Sequence, residues 1–338
     1  MAKSEPENKT DTGQDVVLKE DSTPQSDQNK TEIGQGVVVK EEETKPQCEE
    51  NQKTDENKVE SESESKEPKS EDAGSKASEP QVIDEIAVTS YMIMSNDKIQ
   101  REIVKLRNKL SHQSAFNKTP IILSDSKGKY LKLQRNLAIE SGVRFWHKKG
   151  ATTRDSFKYL ERQIEEAVRH YKNIVFYVWL GTCDLTDFNR KNRYISLRSR
   201  DSSSVNDIIN HFRRIYALVA ATYETVGLVF LEIPVYSIVC WNKYQGHKFS
   251  EQFQNDDLKL EEQINTVNSF IRETNLILRK HSPKFSCDLQ NSRKCRQMRN
   301  SRFTYKFNAF YLDGIHPTSL LSKLWLLRIV ALIVVDCA

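Results

Sequence analysis

The chain has 338 residues and a formal net charge of +4, but the charge is unevenly divided: residues 1–80 carry 22 acidic and 11 lysine side chains, a net of −11, which leaves +15 for the remainder. The first aromatic residue is Tyr91, so the N-terminal stretch has too little apolar surface to offset its ordering entropy, and an independent globular domain there is excluded. The remaining residues are enough for one sizeable core.

The expected organisation is a disordered acidic tail over 1–85, a linker with a short helix over 86–117, and one domain over 118–338. The N-terminus has no apolar h-region, so no signal peptide is expected and a cytoplasmic or nuclear location follows. The tail holds a degenerate repeat, with Thr10 to Glu20 returning 21 residues later as Thr31 to Glu41. We read it as simple duplication; the alternative is a pair of apolar-Lys-x-acidic sites like those of SUMO attachment, around Lys19 and Lys40. Cys48, Cys183, Cys240, Cys287, Cys295 and Cys337 form no CxxC pair, which suits free thiols. Cys287 and Cys295 near His281 make a poor zinc set, and no metal is expected.

Further along, Ile99, Ile103, Leu106 and Leu110 are spaced four, three and four, which predicts a helix over 96–111. Its stripe suits either a short coiled coil or packing onto the neighbouring domain. From 119 the pattern alternates. Residues 121–123 and 143–146 predict short strands. Phe157, Leu160, Ile164 and Ala167 predict a helix entered through Thr152, Thr153 and Asp155. Residues 174–180 form a continuous β-branched and aromatic run, as a central parallel strand requires. A helix on Ile208, Phe212, Ile215 and Val219 follows, then a strand over 228–233 closed by Pro234. Leu260, Ile264, Val267 and Ile271 predict another helix, and the aromatic stretch 303–312 a last strand. The apolar run 320–335 is interrupted by Lys323 and Arg328 and is too short to span a membrane, so a buried C-terminal helix is expected. Such alternation predicts an α/β fold with a parallel sheet and sites at the carboxyl ends of its strands.

Three segments fall at those ends: Ser124-Asp125-Ser126-Lys127-Gly128, Gly181-Thr182-Cys183-Asp184, and Asp313-Gly314-Ile315-His316. A serine at a strand-to-helix turn exposes its hydroxyl beside a helix N-terminus. It needs a base, and the base needs an orienting carboxylate; Asp313 and His316, three apart with a glycine between, can supply both from one loop. Each signal alone has a blander reading, a helix cap or a loop hydrogen bond.

In order along the chain, the segments resemble the SGNH (GDSL-type) hydrolase family. Ser126 takes the position of its nucleophile, Asp313 and His316 those of its Asp-x-x-His motif, Gly150 that of its oxyanion glycine, and Gly181-Thr182-Cys183-Asp184 that of its Gly-x-Asn-Asp. The resemblance covers about 118–338. It implies a flavodoxin-like three-layer α/β/α sandwich on a five-stranded parallel sheet, and ester, thioester or acyl-sugar hydrolysis with neither metal nor cofactor. Two positions depart from the pattern: Ser124 replaces a glycine, and Cys183 replaces the asparagine that donates to the oxyanion. A thiol is a weak donor, so an impaired esterase and an inactive module are both open readings. Cys183 could alternatively act as a thiol nucleophile.

Lys127, Lys149, Arg154 and Asp184 are the expected substrate-facing residues on a basic rim that also includes Lys129, Lys148, Arg190, Lys191, Arg193, Arg198 and Arg200. Such a field suits an acylated small molecule or glycan, nucleic acid, or the chain's own tail. Retrotransposon-encoded proteins that carry an SGNH-type domain beside nucleic-acid-binding segments make a mobile-element origin an open reading.

Overall fold

The computed structural model describes residues 81–113, 115–220, 223–290 and 304–338. The acidic tail with its repeat and Cys48, and residues 291–303 with Cys295 and the cations Arg293, Lys294, Arg296, Arg299 and Arg302, lie outside the described residues.

The elements follow in chain order. Helix α1 (Gln81–Leu110) precedes β1 (Thr119–Ser124), α2 (Ser126–Lys132), α3 (Ala138–Ser141), β2 (Arg144–His147) and α4 (Thr153–Tyr171). Then come β3 (Ile174–Trp179), α5 (Thr182–Leu185), β4 (Thr186–Asn189), β5 (Tyr194–Leu197), α6 (Ser203–Ala220) and β6 (Val226–Phe230). The chain ends with α7 (Ile238–Tyr244), α8 (Gln254–Ile277), α9 (Ser286–Leu289), α10 (Phe307–Phe310) and α11 (Ser319–Cys337).

Four strands form one parallel sheet in the order β2-β1-β3-β6, the flavodoxin-like order without an outer strand. All six residues of β3 are buried, as its unbroken apolar sequence requires of a strand covered on both faces. The helix stripes read from the sequence are the buried ones: Leu160 and Ile164 on α4, Ile208, Phe212 and Ile215 on α6, Leu260, Ile264, Val267 and Ile271 on α8. Helix α1 is longer than expected, and Ile99, Ile103 and Leu110 join the same core, so this part of the chain is a packed element rather than a linker.

The sheet has four strands where five were expected. The stretch assigned to the last strand forms only isolated bridges, Tyr305 with Gln290 and Tyr311 with Pro317, with the short α10 between them. The end of β6 and the segment that follows it are met instead by side chains. Asn275 accepts from the Phe230 N–H at 3.0 Å and donates to its carbonyl at 2.7 Å; Asn268, two turns earlier on α8, does the same for Ile233. Ser282 and Ser286 accept from the N–H groups of Glu232 and Val235. These amides and hydroxyls meet the requirement that a fifth strand would otherwise have met.

α11 is buried along most of its length, and its two cations are placed rather than tolerated. Lys323 donates to Glu140 at 2.7 Å and to Asn136 at 2.6 Å, and Arg328 to Asp288 at 2.8 Å. Glu140 is fully buried and also accepts from the Asn136 and Leu137 N–H groups, closing the loop between α2 and α3. Among the described residues no helix is long and apolar enough to cross a membrane.

Lys323→Met leaves the Glu140 carboxylate buried without its cation. A loss of about 3–5 kcal/mol in unfolding free energy is expected by urea denaturation, with partial recovery in the Glu140→Gln/Lys323→Met double variant.

Candidate active site

Strands β1, β2 and β3 end level with one another: Ser124 pairs with His147 on one side and with Trp179 on the other. The turns that leave these ends therefore emerge together. They carry Asp125 and Ser126, Lys148 to Gly150, and Gly181 to Asp184.

Asp125 caps α2 by accepting from the Lys127 N–H at 2.9 Å, which puts Ser126 at the first helical position. The helix lies close on the sheet at Gly128, where a Cβ would fall 2.8 Å from the His147 Cβ and 3.1 Å from the Ser124 Cβ. The side chain of Ser124 thus occupies room that the bare Gly128 leaves. At Gly181, φ is +111° and a Cβ would lie 2.4 Å from the Ile233 Cδ1, so only glycine fits the turn.

The third segment arrives from across the fold. Leu312 N–H donates to the His316 carbonyl at 2.7 Å, and Tyr311 bridges Pro317, so residues 312–316 form a closed loop. Gly314 has φ +90°, and a Cβ there would meet the Cys240 Cβ at 2.7 Å and the Trp241 N at 2.8 Å. Its carbonyl accepts from Ser237 N–H. Ser237 and the first amides of α7 are in turn held by the half-buried Asp257, whose carboxyl is pushed up to about 6, chiefly by desolvation. The loop is thereby pinned against α7.

The Ser126 Oγ lies 3.1 Å from His316 Nε2, and His316 Nδ1 lies 2.6 Å from Asp313 Oδ2. The second carboxylate oxygen of Asp313 accepts from the His316 and Ile315 N–H groups at 2.8 and 3.0 Å. Burial alone would raise the Asp313 carboxyl; the hydrogen bonds and charge of His316 outweigh it and hold the group below the usual carboxylate range. An ionised Asp313 fixes Nδ1 as the protonated nitrogen and turns the Nε2 lone pair toward the Ser126 hydroxyl. The Tyr130 ring lies 5.1 Å from the imidazole. Tyr130 was not singled out in the sequence, although it stands four residues after Ser126 and so on the same face of α2.

Gly150 is exposed with φ +71°, in the turn between β2 and α4. Cys183 is partly buried in α5. Burial, with the Asp125 charge next, pushes its thiol up to about 12, so at neutral pH it is a neutral S–H and a thiolate nucleophile is not available.

The expected substrate-facing residues divide. Lys149 and Arg154 are exposed. Lys127 is 2% exposed, and its ammonium is taken up by the Asp125 carboxylate and by the Thr182 hydroxyl at 2.6 Å. It is therefore interior rather than on the rim. Asp184 is also interior: it accepts from the Thr153 N–H at 3.0 Å and from the Thr153 hydroxyl at 2.8 Å, and so ties the turn after β3 to the start of α4. Burial raises its carboxyl to about 6. Arg198 is engaged by Asp187 and the carbonyls of Cys183 and Thr186, and Arg200 by Asp256. The basic field is thus thinner than a count of cations implies. The residues 186–197 that carry part of it form the antiparallel β4–β5 hairpin, which was not expected.

No family model and no curated protein matches the chain. Among solved structures it is similar to a candidate acylhydrolase of Bacteroides fragilis, at 10% identity over 67% of this chain and 89% of that one, with a TM-score of 0.42. A GDSL-like lipase of Bacteroides thetaiotaomicron is similar at 9% identity over 70% and 96%, TM-score 0.39. An acetylxylan esterase of Geobacillus stearothermophilus is similar at 13% identity over 65% and 96%, TM-score 0.35.

Two outcomes follow from the packing of the site. Gly314→Ala combines a left-handed φ with overlap on Cys240 and Trp241. It should cost about 2–4 kcal/mol in thermal unfolding and displace His316. The native Asp184 carboxyl, raised above its unfolded value, holds a proton that the unfolded chain has released, so its contribution to stability falls as pH rises from about 4 to about 6. Denaturation across that window should show Asp184→Asn improving relative to the parent as pH rises, by on the order of 3 kcal/mol at about 1.36 kcal/mol per pKa unit.

Proposed function

We propose that this chain is a serine ester hydrolase of the SGNH kind, acting on an acylated small molecule or glycan. The observation that carries the reading is the continuous hydrogen-bonded line from Ser126 Oγ through both nitrogens of His316 to Asp313. Its three members come from motifs that the parallel sheet and the Gly314 loop bring to one point. The strand order and the position of the line at the carboxyl ends of β1 and β3 support it further.

In the acylation step Ser126 Oγ bonds to the ester carbonyl carbon as its proton passes to His316 Nε2. The carbonyl oxygen takes up the negative charge. The Gly150 and Ser126 N–H groups are the backbone donors for it, at a helix N-terminus that favours the anion. The Cys183 thiol, held neutral, is the third and weakest donor. Collapse of the intermediate breaks the ester C–O bond, and the departing alkoxide takes the proton from Nε2. Water then repeats the sequence on the acyl-enzyme, giving acid and free Ser126. Asp313 stays ionised throughout and stabilises the imidazolium that forms in each half. Exposed Lys149 and Arg154 lie at and just beyond the Gly150 turn and suit a substrate with an anionic group.

A fluorophosphonate probe should label the wild type and fail to label Ser126→Ala; equal labelling of the two would exclude a Ser126 nucleophile. Cys183→Asn supplies a stronger donor at the same position. Its ester hydrolysis rate should rise, by up to the order of 10²–10³ that one good oxyanion donor is worth.

A further inference from the structure

Lys127 directly follows the nucleophile, yet its ammonium points inward. It meets the carboxylate of Asp125, the hydroxyl of Thr182 at 2.6 Å and the ring of Trp179 at 5.3 Å from the centroid. These three partners belong to three segments: the turn after β1, the turn after β3, and the last residue of β3 itself. Asp125 and Lys127 flank Ser126, and Thr182 precedes Cys183. One buried cation thus joins the turn that carries the nucleophile to the turn that carries the side-chain oxyanion donor.

We propose that Lys127 and Thr182 form a clamp that positions Ser126 relative to Cys183. The inference rests on the hydrolase reading for its catalytic consequence but not for its geometry. A lysine with all its contacts internal has no role in holding a substrate, and a buried ammonium is too expensive to keep without a compensating set of partners. Charge neutralisation of Asp125 explains the ion pair alone. It does not explain the additional reach to Thr182, whose carbonyl is separately held by the Tyr236 hydroxyl at 2.9 Å. The first residue of α5 is therefore fastened from both its side chain and its backbone. The turn it begins is otherwise secured by Gly181, which packs on Ile233, and by Asp184, which holds Thr153. The clamp is the contact among these that reaches the nucleophile's own turn. It supplies a mechanical link that this chain needs more than one with an amide donor at position 183 would, because a weak donor tolerates less misplacement.

The decisive variants are Thr182→Val, which keeps the shape and the Asp125–Lys127 pair but removes the hydroxyl, and Thr182→Ser, which restores it. Two readouts are taken on the full chain. The first is fluorophosphonate labelling, resolved into a saturation constant and a maximal rate. The second is the rate of iodoacetamide alkylation at Cys183, read by peptide mass spectrometry, which needs no catalysis. The clamp predicts that Thr182→Val loses about tenfold or more in maximal labelling rate at an unchanged saturation constant, and that Cys183 alkylates faster. Thr182→Ser should stay near wild type in both. Wild-type rates in both readouts for Thr182→Val would overturn the clamp, as would equal losses in Thr182→Ser and Thr182→Val. A wild type that resists the probe while Thr182→Val still exposes Cys183 would reject the hydrolase reading and retain the clamp.

Discussion

The parallel pairing of β1 with β3 is the constraint from which the rest of the molecule follows. Six residues of β1 run in register with β3, from Thr119 beside Ile174 to Ser124 beside Trp179. Both faces are covered, so neither strand can slip without exposing part of a continuous apolar row. With β2 ending level beside them, three turns leave the sheet at one height. Ser126, the Gly150 turn and the Gly181–Asp184 turn are neighbours because of this register and not because of any affinity among themselves.

What the register brings near, buried polar groups fasten. Lys127 joins two turns, Asp184 ties one of them to α4, and Asp257 holds the start of α7 against the loop of Asp313 and His316. Asn275 and Asn268 satisfy the backbone of Phe230 at the end of β6 and of Ile233 beyond it. Such groups are costly to bury, and their net worth to stability is small or negative compared with well-packed apolar side chains. Their value lies in direction. A hydrogen bond fixes an angle and a distance that apolar contact leaves loose, and a serine–histidine line is sensitive to both. The burial that raises the carboxyls of Asp184 and Asp257 is thus the accompaniment of their use as joints.

Under the proposed function, the site would combine a well-held histidine with a weak side-chain donor. Asp313 gives one oxygen to the imidazole and the other to two backbone amides, so the histidine is oriented by a carboxylate that is itself immobilised. In the turn after β3, burial raises the Cys183 thiol, which on the same proposal stands where a stronger donor would serve an ester better. The backbone donors do not depend on side-chain identity and are untouched by that substitution. Ser124, the other departure from the family pattern, is accommodated by Gly128, which leaves space for its side chain.

The α/β class, the buried faces of the long helices and the three segments that meet at the site are legible in the residues alone. Periodicity is a local property, and Phe157, Leu160, Ile208, Phe212 and Ile264 are buried where their spacing puts them. The spacing of Asp313 and His316 was equally local, since one loop holds both. Which charges are interior depends on contacts between distant parts of the chain. Asp184 reads as a surface residue because its partner Thr153 lies 31 residues away, and Lys127 because, beside the nearby Asp125, the Thr182 that draws it inward lies 55 residues away. The number of strands depends on such contacts too. The edge of β6 is met by amides from α8, which in sequence are two polar residues on an ordinary amphipathic helix. The β4–β5 hairpin escaped notice because β4 is largely exposed and carries no alternation. The distance from Ser126 to His316 spans 190 residues of chain, and only the folded sheet, with α7 packed against the Gly314 loop, reduces it to a hydrogen bond.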